Sequence, residues 1–129
     1  MIVDTSAIVA VLAGEPERER LLAALLQAPS IKISAATLVE LGIVVDRRRD
    51  PRLSRRLDEL LSELAVEVVA VDAAQASTAR GAYRDYGKGS GHPAGLNLGD
   101  CFSYALASVA REPLLFVGHD FVHTDLEPA

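Results

Sequence analysis

The chain has one cysteine, no tryptophan, and only three tyrosines and three phenylalanines among 129 residues. A lone Cys101 excludes an intrachain disulfide and any zinc site built from several cysteines, and is compatible with a reducing compartment. So few rings leave no base-stacking platform visible. Positive charge is scarce as well: 13 Lys and Arg stand against 18 Asp and Glu, a formal net charge of −5. That argues against a broadly basic surface for nucleic acid, though not against a local one. No apolar run approaches membrane-spanning length. No basic stretch precedes an apolar core at the start, where Asp4 comes early, so no secretory signal is expected. With 50% hydrophobic and 24% charged residues, the composition is that of an ordinary globular chain. The expectation is a soluble cytoplasmic protein forming a single domain over residues 1–129.

What is present is a set of carboxylates in apolar surroundings. Asp4 ends Met1-Ile2-Val3 and is the only charged side chain before Glu15. Glu40 is the only charge between Lys32 and Asp46, and Asp100 the only formal charge between Lys88 and Arg111. Asp120 stands just beyond Leu114-Leu115-Phe116-Val117. An ionised carboxylate in such surroundings is costly unless cations or hydrogen bonds compensate it. Four of them suggest one shared pocket, and the natural occupant of an all-oxygen acidic pocket is a hard divalent cation such as Mg²⁺ or Mn²⁺.

Hydrophobic periodicity divides the chain into short strands alternating with helices. Strands are expected at Ile2–Val3, Ile31–Ile33, Val66–Val69 and Leu114–Val117, with a weaker last one near Val122–Leu126. Helices are expected over about 7–13, 16–27, 34–49, 53–64, 73–86 and 98–110. Thr5 or Ser6 should cap the first, Pro16 open the second, Ser34 cap the third and Asp72 the fifth. Leu21, Leu22, Leu25 and Leu26 form an apolar stripe on the second. Gly87 to Gly95 is the one obvious loop. This alternation implies an α/β protein, a parallel sheet covered by helices on both faces, with its site at the carboxyl ends of the strands. Asp4 and Asp120 follow expected strands, Glu40 lies within two helical turns of another, and Asp100 sits in the first turn of a helix. All four can meet at one edge of the sheet.

Four segments, in this order and context, resemble the PIN-domain nucleases, most closely the toxins of VapBC-type toxin–antitoxin pairs. They are Met1-Ile2-Val3-Asp4-Thr5-Ser6-Ala7-Ile8, Ser34-Ala35-Ala36-Thr37-Leu38-Val39-Glu40-Leu41, Leu96-Asn97-Leu98-Gly99-Asp100-Cys101-Phe102-Ser103-Tyr104-Ala105 and Phe116-Val117-Gly118-His119-Asp120-Phe121. The resemblance covers nearly the whole chain. It implies a three-layer α/β/α PIN-like fold whose short, mostly parallel sheet has about four or five strands. It also implies a metal-dependent endoribonuclease, the toxin of a type II system, with Asp4, Glu40, Asp100 and Asp120 as catalytic residues. Mg²⁺, with Mn²⁺ as a substitute, would relieve charge on the phosphate and activate water near neutral pH. Because Mg²⁺ keeps several waters, Asp4 and Asp100 are expected as direct ligands, with Glu40 and Asp120 acting through water, a second ion or as general base. The partners implied are RNA, a VapB-type antitoxin whose C-terminal segment places an Arg in the pocket, and a second copy of the chain; no membrane is implied. Products would carry a 5′-phosphate and a 3′-hydroxyl.

Each residue also has a plainer reading. Asp4 can cap the first helix, Asp100 can face the positive end of its own, Glu40 can be a solvated edge residue, and Asp120 part of a turn. His119 stands where many relatives carry an acid or Asn. Thr5 or Ser6 can bond a metal-bound water or phosphate, or act as caps; Asn97 can orient Asp100 or cap its helix. Cys101 reads as core, and His92 and His123 as packing or surface. Arg47, Arg48, Arg49, Arg52, Arg55 and Arg56 can grip RNA phosphates, or form a solvated surface partly neutralised by Asp46, Asp50 and Asp58, the reading favoured here. Lys88 and its glycine-rich loop are a further candidate RNA contact, as lid or connector, without P-loop spacing. A receiver domain would want paired acids after the first strand, and a haloacid-dehalogenase-type phosphatase an Asp-x-Asp there; Asp4-Thr5-Ser6 offers neither. The remaining alternative is a PIN-like module that binds RNA or protein without cutting.

Overall fold

A computed structural model describes residues 1–129. Its strands are β1 (Ile2–Val3), β2 (Lys32–Ser34), β3 (Glu67–Val69) and β4 (Leu114–Leu115). They pair in parallel, in the order β3-β2-β1-β4. Ile2 faces Lys32 on one side and Leu114 on the other. Successive strand side chains point to opposite faces, and the core divides accordingly. Val3, Ile33 and Leu115 pack with α1 (Thr5–Ala13), α2 (Arg18–Gln27), α3 (Ala35–Asp46) and α4 (Pro51–Glu63). Ile2 and Leu114 pack on the other face with α5 (Ala73–Tyr86) and α6 (Leu98–Ala110). The result is the three-layer α/β/α arrangement expected.

The strand order positions the site. From β1 the chain steps outward through β2 to β3, then crosses the opposite face and returns to β4 on the far side of β1. The reversal lies between β1 and β4, and open α/β sheets bind ligands in the crevice outside such a reversal. Asp4 leaves β1 at that crevice, and Asp120 lies on the segment leaving β4.

Helices α5 and α6 begin and end where the pattern placed them, with Asp72 and Asn97 as caps. Elsewhere the boundaries move. The cap of α1 is Asp4, whose side chain accepts from Ser6 N, so the helix opens at Thr5. It closes at Gly14, whose φ of 68° is the left-handed conformation a helix stop favours. Helix α2 starts at Arg18 rather than Pro16, and of its expected stripe Leu21 and Leu25 are buried and Leu22 packs partly buried against the core, whereas Leu26 is 74% exposed. Helix α3 ends at Asp46, before Arg49, whose φ is 56°. Strand β4 stops at Leu115, since Val117 N–H donates to the Ser6 hydroxyl instead of a neighbouring strand. No strand forms over Val122–Leu126; turns occupy it, and the chain end meets the sheet through one bridge between Leu114 and Pro128.

Candidate active site

Asp4 is 4% exposed, and its burial is compensated in full view. One oxygen accepts from the Ser103 hydroxyl at 2.6 Å; the other accepts from Ser6 N at 2.9 Å and the Ser6 hydroxyl at 2.7 Å. Three donors on a carboxylate offset much of the cost of dehydrating it and still leave acceptor capacity open. Behind it, the fully buried Thr37 hydroxyl lies 3.2 Å from Ser103, tying α3 to α6 beneath the acid. Ser6 also accepts from Val117 N at 3.1 Å, which couples the exit of β4 to the same carboxylate. The Asp4 cap reading is therefore correct, and compatible with a second role.

Asp100 stands in the first turn of α6 in a capping box. Its backbone N–H donates to the Asn97 side chain, and its carboxylate accepts from Asn97 N, both at 2.9 Å. Asn97 is thus the cap, and it orients Asp100 through its backbone rather than its side chain. Burial pushes the Asp100 carboxyl up to about 7; the Asn97 N–H opposes this, and the charges of Asp4, Asp120 and Glu40 raise it further. Asp4, Asp120 and Glu40 therefore each lie within electrostatic reach of Asp100.

Glu40, half-buried on α3, accepts from the Thr5 hydroxyl at 2.6 Å. Thr5 thus neither caps a helix nor faces open solvent: it holds an acid. Asp120 is exposed on the segment beyond β4. No three carboxylate, imidazole or thiol groups form a ready metal cage, so an ion here would take few direct protein ligands. That arrangement fits a hexacoordinate Mg²⁺ that keeps waters and takes few direct protein oxygens. The donor set is all oxygen, and the strained charge on Asp100 is what a cation would relieve.

Other candidates fall away from this cluster. His119 lines a recess of about 370 Å³ with Glu17, Arg20 and Phe116, and none of the four acids lines it. Cys101 is buried core, its thiol pushed up to about 11 by burial and by Asp100. His92 stacks edge-on against Tyr86, with ring centroids 4.9 Å apart. The Gly87–Gly95 loop is closed at its base by Lys88 N to Leu96 O and Leu96 N to Tyr86 O, which favours connector over lid. All six arginines are exposed, but none pairs with an acid: the ion pairs join Glu112 to Lys32 and to the Met1 ammonium, and Arg84 to Asp85. Asp46 instead accepts from the Ser54 hydroxyl, and Asp50 caps α4. No ion pair joins these arginines to Asp46, Asp50 or Asp58.

Sequence reasoning passed over Ser103 and Thr37. Each stands three residues from a site acid, Ser103 after Asp100 and Thr37 before Glu40, a spacing that shares a helix face.

The model of the PIN domain family matches residues 1–126, and the chain belongs to that family. Within it, the chain is 57% identical over 129 residues to Ribonuclease VapC42 of Mycobacterium tuberculosis, covering all of this chain and 98% of that protein. Among solved structures, VapC20 of Mycobacterium tuberculosis, described as a Sarcin-Ricin loop cleaving toxin, superposes with a TM-score of 0.71 at 20% identity, over 98% of each chain. VapBC2 from Rickettsia felis, bound to a promoter DNA fragment, gives 0.76 at 18%, over 99% of this chain and 96% of that one. At such identities these two structures speak to the fold alone.

Proposed function

We infer that the chain is an RNA-cleaving toxin of a VapBC system, acting as a Mg²⁺- or Mn²⁺-dependent endoribonuclease. The carrying observation is the gathering of Asp4, Glu40 and Asp120 around the buried Asp100 at the sheet's switch point, in a chain so similar to a VapC ribonuclease. Asp4 and Asp100 would hold the ion directly, being the two site acids whose carboxylates accept from backbone N–H groups. Bound there, the ion supplies Lewis-acid chemistry, offsetting charge on the phosphoryl oxygens and making water a competent nucleophile near neutral pH. The chain's own contribution is positional. Ser6 and Ser103 hold Asp4 still, Asn97 holds Asp100, and Thr5 holds one oxygen of Glu40 so that the carboxylate can orient water or take its proton. Exposed Asp120 completes the acidic wall from the β4 side.

RNA reaches such a site past α3. Arg47 lies seven residues, two turns, beyond Glu40, so it leaves the same helix face about 10 Å further along the axis. Arg48 lies beyond the end of α3. Val39 and Ile43, one turn apart on α3 and 62% and 60% exposed, form an exposed apolar pair beside Glu40 and support self-association as a homodimer. A VapB-type antitoxin would compete for the acidic pocket by inserting a guanidinium.

Incubation of single-stranded RNA with the purified chain tests the reading. Cleavage is expected with Mg²⁺, and should vanish with EDTA and fall at least about 100-fold in Asp4→Asn and Asp100→Asn. Cleavage that survives chelation or either substitution rules out the metal mechanism, and no cleavage under any condition leaves a binding module.

A further inference from the structure

The first turn of α6 contains Gly99 between Leu98 and Asp100, and its backbone is not one that demands glycine: no positive φ is found there. The need lies in space. A methyl group at Gly99 would stand 2.5 Å from Glu40 Cδ, 3.0 Å from Oε1 and closer still to Oε2, all far inside van der Waals contact. The hydrogen position on Gly99 Cα is thus filled by the carboxylate of Glu40. That carboxylate comes from α3, is held from the other side by the Thr5 hydroxyl of α1 at 2.6 Å, and rests on the positive end of α6. Three helices meet at one side chain, and one of them meets it through the absence of an atom.

We propose that Gly99 is a positioning residue for the metal site: its missing Cβ is the seat of the Glu40 carboxylate. The proposal rests on the nuclease reading for its consequence in activity, but not for the seat itself. The obstructing group is the far end of a flexible side chain, so a larger residue at 99 would push Glu40 aside without breaking the helix. Thr5 would then lose its acceptor, and Glu40 would leave the space it shares with Asp100. Gly42, the glycine nearest Glu40 in sequence, has open space around it and serves as the control.

The test is a cycle of Gly99→Ala, Glu40→Ala and the double variant, with Gly42→Ala alongside. In a crystal structure of Gly99→Ala, the Thr5–Glu40 hydrogen bond should be broken, with the α6 backbone unchanged. Mn²⁺ affinity by calorimetry should fall about 10- to 100-fold in Gly99→Ala, as when a group orienting a metal ligand is lost. In the Glu40→Ala background the same change should have no further effect, because the group it displaces is gone. If Gly99→Ala fails to fold, the double variant should fold, and folding is then the readout. A Glu40 carboxylate that keeps its place in Gly99→Ala overturns the proposal, as does a loss of affinity undiminished in the Glu40→Ala background. Failure of the wild-type chain to bind Mn²⁺ would count against the nuclease reading alone, since the crystallographic comparison still decides the seat.

Discussion

Asp100 has the largest stake in its own protonation. Its carboxyl, ordinarily near 3.8, is pushed up to about 7 by burial and then by its three acidic neighbours. Between those values the folded chain keeps a proton that the unfolded chain has released, so metal-free stability falls as pH rises through that window and levels off above it. The melting temperature of EDTA-treated protein should show this fall, Asp100→Asn should flatten it, and Mg²⁺ should raise the melting temperature more at about pH 8 than at about pH 5. A fall that persists in Asp100→Asn would place its origin elsewhere. The four acids could be read from the sequence because a lone charge in an apolar run is visible one residue at a time. Gly99, Ser103 and Thr37 could not: the first matters through an atom it lacks, the others through hydroxyls that look like ordinary helix residues until α1, α3 and α6 converge.

At the scale of elements, α3 is the part on which most depends, since it carries Thr37 beneath Asp4, Glu40 in the site, the apolar pair beside it and Arg47 at its end. Arg47→Ala should weaken RNA binding and lower the slope of log affinity against log salt by about 1, whereas Arg48→Ala should change the slope less. Equal effects in both variants would mean a diffuse charge field rather than a path along one helix face. The helices were the readable elements, α5 and α6 most clearly, because an Asx cap and a loop or turn mark their ends chemically. The strands, two or three residues long, were readable in place, but only β1 in extent. Beyond β4, Val117 gives its N–H to the Ser6 side chain instead of a strand, and that exchange has no local signature.

For the whole molecule, a surplus of five negative charges and an unpaired arginine group coexist because the site acids and the guanidiniums occupy different regions, the acids at the switch point and the arginines on the α3–α4 turn and on α4. The exposed Val39–Ile43 pair gives the proposed dimer a place to form. Light scattering should return twice the 13.7 kDa chain mass, with Val39→Glu shifting it toward one; a wild-type monomer at micromolar concentration ends that proposal. The sheet's order carries a last consequence. Because β1 sits between β2 and β4, Asp4 acquires its second wall only when residues more than a hundred positions downstream have joined the sheet. A ribosome stalled anywhere short of β4 holds a nascent chain with β1 open on its β4 side and no Asp120, so the four acids become one site only at the end of synthesis.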